Sequence, residues 1–80
     1  MARQIDLGNK YILFELIGQT SKTQRWAVIN KSSDIELGEL KWYGAWRQYI
    51  FEPINNSFYN NGCLRTIIDF LDRINKEKVI

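Results

Sequence analysis

The sequence predicts an α+β fold, a four-stranded antiparallel meander with one C-terminal helix packed on one face (ββββα). Three observations predict it. Four short runs rich in β-branched and aromatic residues are separated by polar turn segments. A fifth run, CLRTIIDFLDRINKEK, repeats its apolar residues at helical spacing. An 80-residue chain is short enough that every large apolar side chain is wanted inside, so the helix needs a sheet to cover. A single domain spanning residues 1–80 is expected.

The first run, KYILFELI at residues 10–17, is apolar on both alternating faces and reads as a strand covered on two sides. Gly18 to Thr23 is polar turn material, and QRWAVIN at 24–30 is the second strand. Lys31-Ser32-Ser33-Asp34 returns the chain. In the third strand, at 35–43, Ile35 and Leu37 share one parity while Leu40 and Trp42 share the other. An extra residue at Gly38 restores a common apolar face, so a β-bulge is expected there. The fourth strand, at 46–52, ends before Pro53, which cannot donate to a ladder.

A polar stretch with Asn55, Asn56, Ser57, Asn60 and Asn61 leads into the helix, expected at 62–77. Leu64, Ile67, Ile68, Leu71 and Ile74 form its apolar stripe, with Arg65, Thr66, Asp69, Asp72, Arg73 and Lys76 mainly opposite. Asn60 or Asn61 suits the N-cap, and Lys76 and Lys78 suit the negative C-terminal end.

Gly44-Ala45 reads as a two-residue type II′ turn between the last two strands. That turn sets Tyr43 opposite Trp46, Trp42 opposite Arg47, Leu40 opposite Tyr49 and Gly38 opposite Phe51. Alternation then divides the hairpin. Leu40, Trp42, Arg47, Tyr49 and Phe51 share the face beneath the helix, with the Phe51 ring over Gly38 and the Arg47 guanidinium stacked across Trp42. Glu39, Lys41, Tyr43, Trp46, Gln48 and Ile50 face solvent. The rings of the first set are core, whereas Tyr43 and Trp46 form a cross-strand pair that stabilises the hairpin yet leaves apolar surface wet, so hairpin stability and recognition are both open to them, stability being the more ordinary use. Lys41, Tyr43, Trp46, Arg47 and Gln48 are therefore the candidate partner-binding residues, since Trp, Tyr and Arg are the types enriched at interface hot spots.

Composition narrows the chemistry. The chain has no histidine and one cysteine, which removes the usual transition-metal ligands, histidine-based catalysis and any internal disulfide. Neither cofactor nor metal is expected. The carboxylate pairs Glu36/Glu39 and Asp69/Asp72 belong to a bulged strand and a solvated helix face, and the glycines form no phosphate loop. Cys63, near the helix N-terminus, reads better as a small buried side chain than as a reactive thiol. The formal charge of +2 implies no polyanion by itself. Neither a leader nor a stretch long enough to span a bilayer is evident, so no membrane association and a cytoplasmic location in the host cell are expected.

LGELKWYGAWRQYIFEP, followed by GCLRTIIDFLDRIN, resembles a group of small, mostly uncharacterised bacteriophage and prophage proteins. Their pattern is LG-x-[IL]-x-WY-x-x-WR-x-Y-x-F-x-P, then CL-x-x-I-x-x-F-[IL]-x-x-[IL]-N. The first part is matched by Leu37, Gly38, Leu40, Trp42, Tyr43, Trp46, Arg47, Tyr49, Phe51 and Pro53. Cys63, Leu64, Ile67, Phe70, Leu71, Ile74 and Asn75 match the second. The resemblance covers residues 24–76, leaving the N-terminal segment 1–23 outside it. It implies a mobile-element origin and the same fold, and carries no activity. By analogy with other small phage proteins, the expected function is non-enzymatic binding of a host or phage protein, host-defence inhibition included. The alternatives are single-stranded nucleic-acid binding by the basic and aromatic patch, and a structural role through self-association.

Overall fold

Strands form where β-branched and aromatic residues alternate over a face that a neighbouring element can bury. A computed structural model describes residues 5–6, 8–55 and 57–77. It contains β1 (Ile5–Asp6), β2 (Ile12–Gln19), β3 (Gln24–Asn30), β4 (Glu36–Tyr43), β5 (Gln48–Pro53) and α1 (Asn61–Glu77). All neighbours in the β1-β2-β3-β4-β5 sheet pair antiparallel. The four long strands and the C-terminal helix are the expected ββββα arrangement, with the two-residue β1 added at one edge. Lys78 and Asn56, both given roles above, lie outside the described residues.

One face of the sheet carries Ile12, Phe14, Trp26, Val28, Leu40 and Tyr49, and the helix contributes Cys63, Ile67, Phe70 and Ile74 to the same core. Phe70 is its centre: its ring stacks on Phe14 at 4.1 Å and meets Trp26 edge-on at 5.0 Å. The Arg73 guanidinium lies 4.7 Å from the same ring. Edge and offset arrangements of this kind add to the area each ring buries.

The helix is rotated from the expected stripe. Leu64 and Ile68 are 43% and 55% exposed, and Cys63 and Phe70 take the buried side instead. Hydrogen bonds on both flanks fix that rotation. Asn9 Nδ2 donates to Thr66 Oγ1 at 2.8 Å on one side. On the other, Asn75 Oδ1 accepts from the Tyr49 N–H at 2.6 Å, and Asn75 Nδ2 donates to the Tyr49 carbonyl at 3.3 Å. The N-cap is Asn60, whose Oδ1 accepts the Cys63 N–H at 2.8 Å.

Both faces of β2 were expected to be covered. The single helix covers one; on the other, Leu13 is half-buried and Ile17 exposed. Ile17 is the extra residue of a bulge, because Leu16 pairs with Trp26 and Gly18 with Arg25. The bulge expected at Gly38 is present one residue earlier: Val28 pairs with Gly38 and Ile29 with Glu36, leaving Leu37 unmatched. The Leu37 carbonyl accepts the Ile54 N–H at 2.9 Å and the Tyr59 hydroxyl. Gly38 has no room for a side chain, since a Cβ would meet Phe51 Cε1 at 2.6 Å and the Glu52 carbonyl at 2.7 Å.

The turn before β5 differs from expectation. Tyr43 pairs with Gln48, Trp42 with Tyr49, Leu40 with Phe51 and Gly38 with Pro53, a register two residues away from the one a Gly44-Ala45 turn imposes. Four residues form the loop, with Trp46 N–H on the Tyr43 carbonyl (3.1 Å) and Arg47 N–H on the Gly44 carbonyl (3.2 Å). Arg47 closes it in the left-handed region at φ 54°. Trp42 thus lies opposite Tyr49 rather than Arg47, and the two rings pack edge to face at 5.3 Å. A shift of two residues preserves parity, so the division of faces holds for the paired residues while Trp46 and Arg47 leave the ladder for the loop.

Candidate interaction surface

Alternation sends Lys41 and Tyr43 of β4 and Gln48 of β5 to the sheet face opposite the helix. The loop carries Trp46 and Arg47 just beyond them. The five residues singled out from sequence thus meet at one end of one hairpin. Trp46 is 65% exposed and Tyr43 40%, and their rings meet edge to face at 5.0 Å and 88°. The contact forms across the turn rather than across a strand pair, because Tyr43 pairs with Gln48.

The electrostatics of this face are mostly settled internally. Lys41 Nζ lies 2.9 Å from Glu52 Oε1. Arg25 forks onto Glu39, with Nε donating to Oε1 at 2.7 Å and Nη2 to Oε2 at 3.0 Å. Those donors hold the Glu39 carboxyl below its ordinary range, and the carboxylate raises the Arg25 guanidinium further. From Tyr43 to Gln48, Arg47 is the only charged side chain. The tip therefore offers two rings, one cation and an amide: the chemistry of contact rather than of bond making.

Cys63 is buried, as expected for a small packing residue. Its backbone N–H already serves the Asn60 cap. Glu36, Glu39 and Glu52 line a shallow concavity on the open sheet face together with Gly38, Pro53, Ile54 and Asn55. Asp69 and Asp72 are exposed on the helix. No helix among the described residues is long and apolar enough to cross a membrane.

Two surface features escaped the sequence reading. Phe58 is 90% exposed in the connection between β5 and α1. Its neighbours Ser57 and Tyr59 explain its direction: Ser57 Oγ bonds the Tyr59 hydroxyl at 2.9 Å, and the Tyr59 ring meets Phe51 edge-on at 5.5 Å. Tyr59 takes the inward place and Phe58 is left outside. The signal was available as two adjacent rings, Phe58 and Tyr59, within a run of Asn and Ser, where one turned inward leaves the other outside. The second feature is the exposure of Leu64 and Ile68, hidden from periodicity because apolar residues wrap more than one side of α1.

No protein-family model matches the chain, and no solved structure matches it. An "Uncharacterized 9.3 kDa protein" of Acholeplasma phage L2 is 35% identical over 57 residues, covering 71% of this chain and 73% of the phage protein. The chain accordingly belongs to the same family as that small phage protein.

Proposed function

We propose that the protein is a non-enzymatic phage-type binding protein that engages a host protein through the tip of the β4–β5 hairpin, host-defence machinery being the first class of target to test. The observation that carries this reading is the exposed pair of Tyr43 and Trp46, 40% and 65% accessible at the end of a well-formed hairpin. Large rings left wet in a domain this small are withheld from a core that needs them.

Placement in the fold supports it further. Gly38, Tyr49, Phe51, Phe70 and Asn75 all have packing or hydrogen-bonding duties. Trp46 and Arg47 instead sit outside the sheet ladder and are exposed. Arg47 also occupies a left-handed backbone position that Gly or Asn fills more easily. A protein target is favoured over single-stranded nucleic acid because Lys41 is tied to Glu52 and Arg25 to Glu39, which leaves Arg47 as the cation beside the exposed rings, too little charge there to follow a run of phosphates. A binding role rather than catalysis is supported by the absence of histidine and by carboxylates that lie in ion pairs or on solvated surfaces.

The test is an affinity pull-down from phage-infected host cells with the wild type and with Tyr43→Ala/Trp46→Ala. The double variant should lose the captured host protein while its thermal transition stays within a few degrees. Equal capture by both would remove the hairpin tip from the reading. A mixed-oligonucleotide shift that weakens steeply with salt would favour nucleic acid instead.

A further inference from the structure

A second wet apolar surface lies on a flank of α1. Leu64 and Ile68 of the helix, and Ile54 and Phe58 in the connection that leads to it, are each more than two-fifths exposed. Helical phase, at about 3.6 residues per turn, places Leu64, Ile68 and Asn75 within one narrow sector, with Leu71 beside them. Asn75 reaches the β5 backbone at Tyr49, so this sector is the side of the helix that looks along the β5 edge. Leu64, Ile68 and Leu71 are spaced by four and then three residues, the spacing of a helix–helix seam.

The charges beside the seam say what covers it. Arg65 and Asp72 are exposed, stand two turns apart and border the seam on its solvent side. In a parallel pair sharing this flank, the two-fold axis runs along the seam and sets the solvent side of one helix beside the core side of the other, so neither Arg65 nor Asp72 meets an opposite charge of the pair. Run antiparallel about a two-fold axis between residues 68 and 69, the two helices set each Arg65 against an Asp72, and the helix dipoles oppose favourably as well. The surface is complementary to itself in one orientation.

We propose that this flank binds a second copy of the chain, the two α1 helices antiparallel, with Leu64 and Ile68 at the centre and reciprocal Arg65–Asp72 pairs at the rim. The inference is independent of the hairpin reading. Asn75 lies against Tyr49, near the tip end of β5, so the antiparallel dimer carries its two Trp46 tips at opposite ends and leaves both free.

Sedimentation equilibrium tests it. The wild type should dimerise reversibly, and Ile68→Glu should be monomeric at every concentration with an unchanged helical circular-dichroism signal. Arg65→Asp and Asp72→Arg should each weaken dimerisation about tenfold, as expected for two rim pairs turned repulsive. An equimolar mixture of the two charge variants restores both pairs in a heterodimer, so it should associate about as tightly as the wild type. A wild type monomeric at its solubility limit overturns the proposal. So does a dimer that survives Ile68→Glu, or a mixture no tighter than either variant alone.

Discussion

The paired strands and the loop tip of the β4–β5 hairpin are made of the same residue types and put to different uses. In the strands, Trp42 meets Tyr49, Phe51 lies between Gly38 and Tyr59, and the Tyr49 hydroxyl accepts the Gln24 N–H at 3.1 Å. Each ring there is locked to another element. At the tip, Tyr43 and Trp46 have each other and solvent. Aromatic content alone therefore says nothing about recognition in a small domain. What separates a structural ring from a presented one is the number of elements that touch it.

Substitutions turn this contrast into a graded series. Tyr49→Ala removes a buried ring, its edge contact with Trp42 and the acceptor for Gln24, and should cost about 3 kcal/mol or more in a urea melt, a large share of the margin of a domain this small. Gly38→Ala adds only a methyl group, yet it drives that methyl into the Phe51 ring and the Glu52 carbonyl, for an expected loss of about 1 to 3 kcal/mol. A Gly38→Ala chain as stable as the wild type would mean that the bulge and Phe51 are not coupled.

At the tip the expected effects are smaller and one has the opposite sign. Arg47→Gly relieves a left-handed backbone and should raise the unfolding free energy by up to about 1 kcal/mol, seen as a higher denaturation midpoint, while weakening capture of the partner. Destabilisation by the same change would show that the Arg47 side chain holds the loop, and would blur the line between the tip and the paired strands. The smallest effect belongs to the open sheet face. The Glu39 carboxyl is held below its ordinary range in the folded state by Arg25. The stability it contributes is therefore present above the ordinary glutamate range and lost as pH falls through and below it. Glu39→Gln should flatten this part of the pH profile in thermal melts, leaving neutral-pH stability slightly lower.

The faces of the hairpin were legible before its turn was. Period-two alternation assigns Leu40, Trp42, Tyr49 and Phe51 to the core side under either register, because moving the pairing by two residues changes partners but not parity. The turn was less legible: Gly44-Ala45 has the composition of a tight turn, and no local signal marks Arg47 as the residue that accepts positive φ. The helix shows the same division. Its existence follows from spacing, but its rotation depends on Asn9–Thr66 and Asn75–Tyr49 contacts between residues 26 or more apart in sequence. No window of local sequence contains them. The exposure of Leu64 and Ile68 was missed for this reason, and a surface now central to the proposed self-association was read as interior. At the proposed binding site the same residues were named from sequence and found together, since exposure there requires only that no element be available to cover them.

Asn75 has a consequence for synthesis. Its side chain occupies the outward-facing backbone groups of Tyr49, on a strand that otherwise ends the sheet and whose last residue, Pro53, has no N–H to offer. Open edges are where foreign strands add. The ribosome makes all five strands before it makes residue 75, so every nascent sheet passes through a stage in which its margin is unsealed. Chains stalled before residue 75 should therefore recruit one another or a chaperone through the β5 edge, a route that chains with Asn75 in place should not take. The final turns of the helix act as the clasp that ends this vulnerable interval.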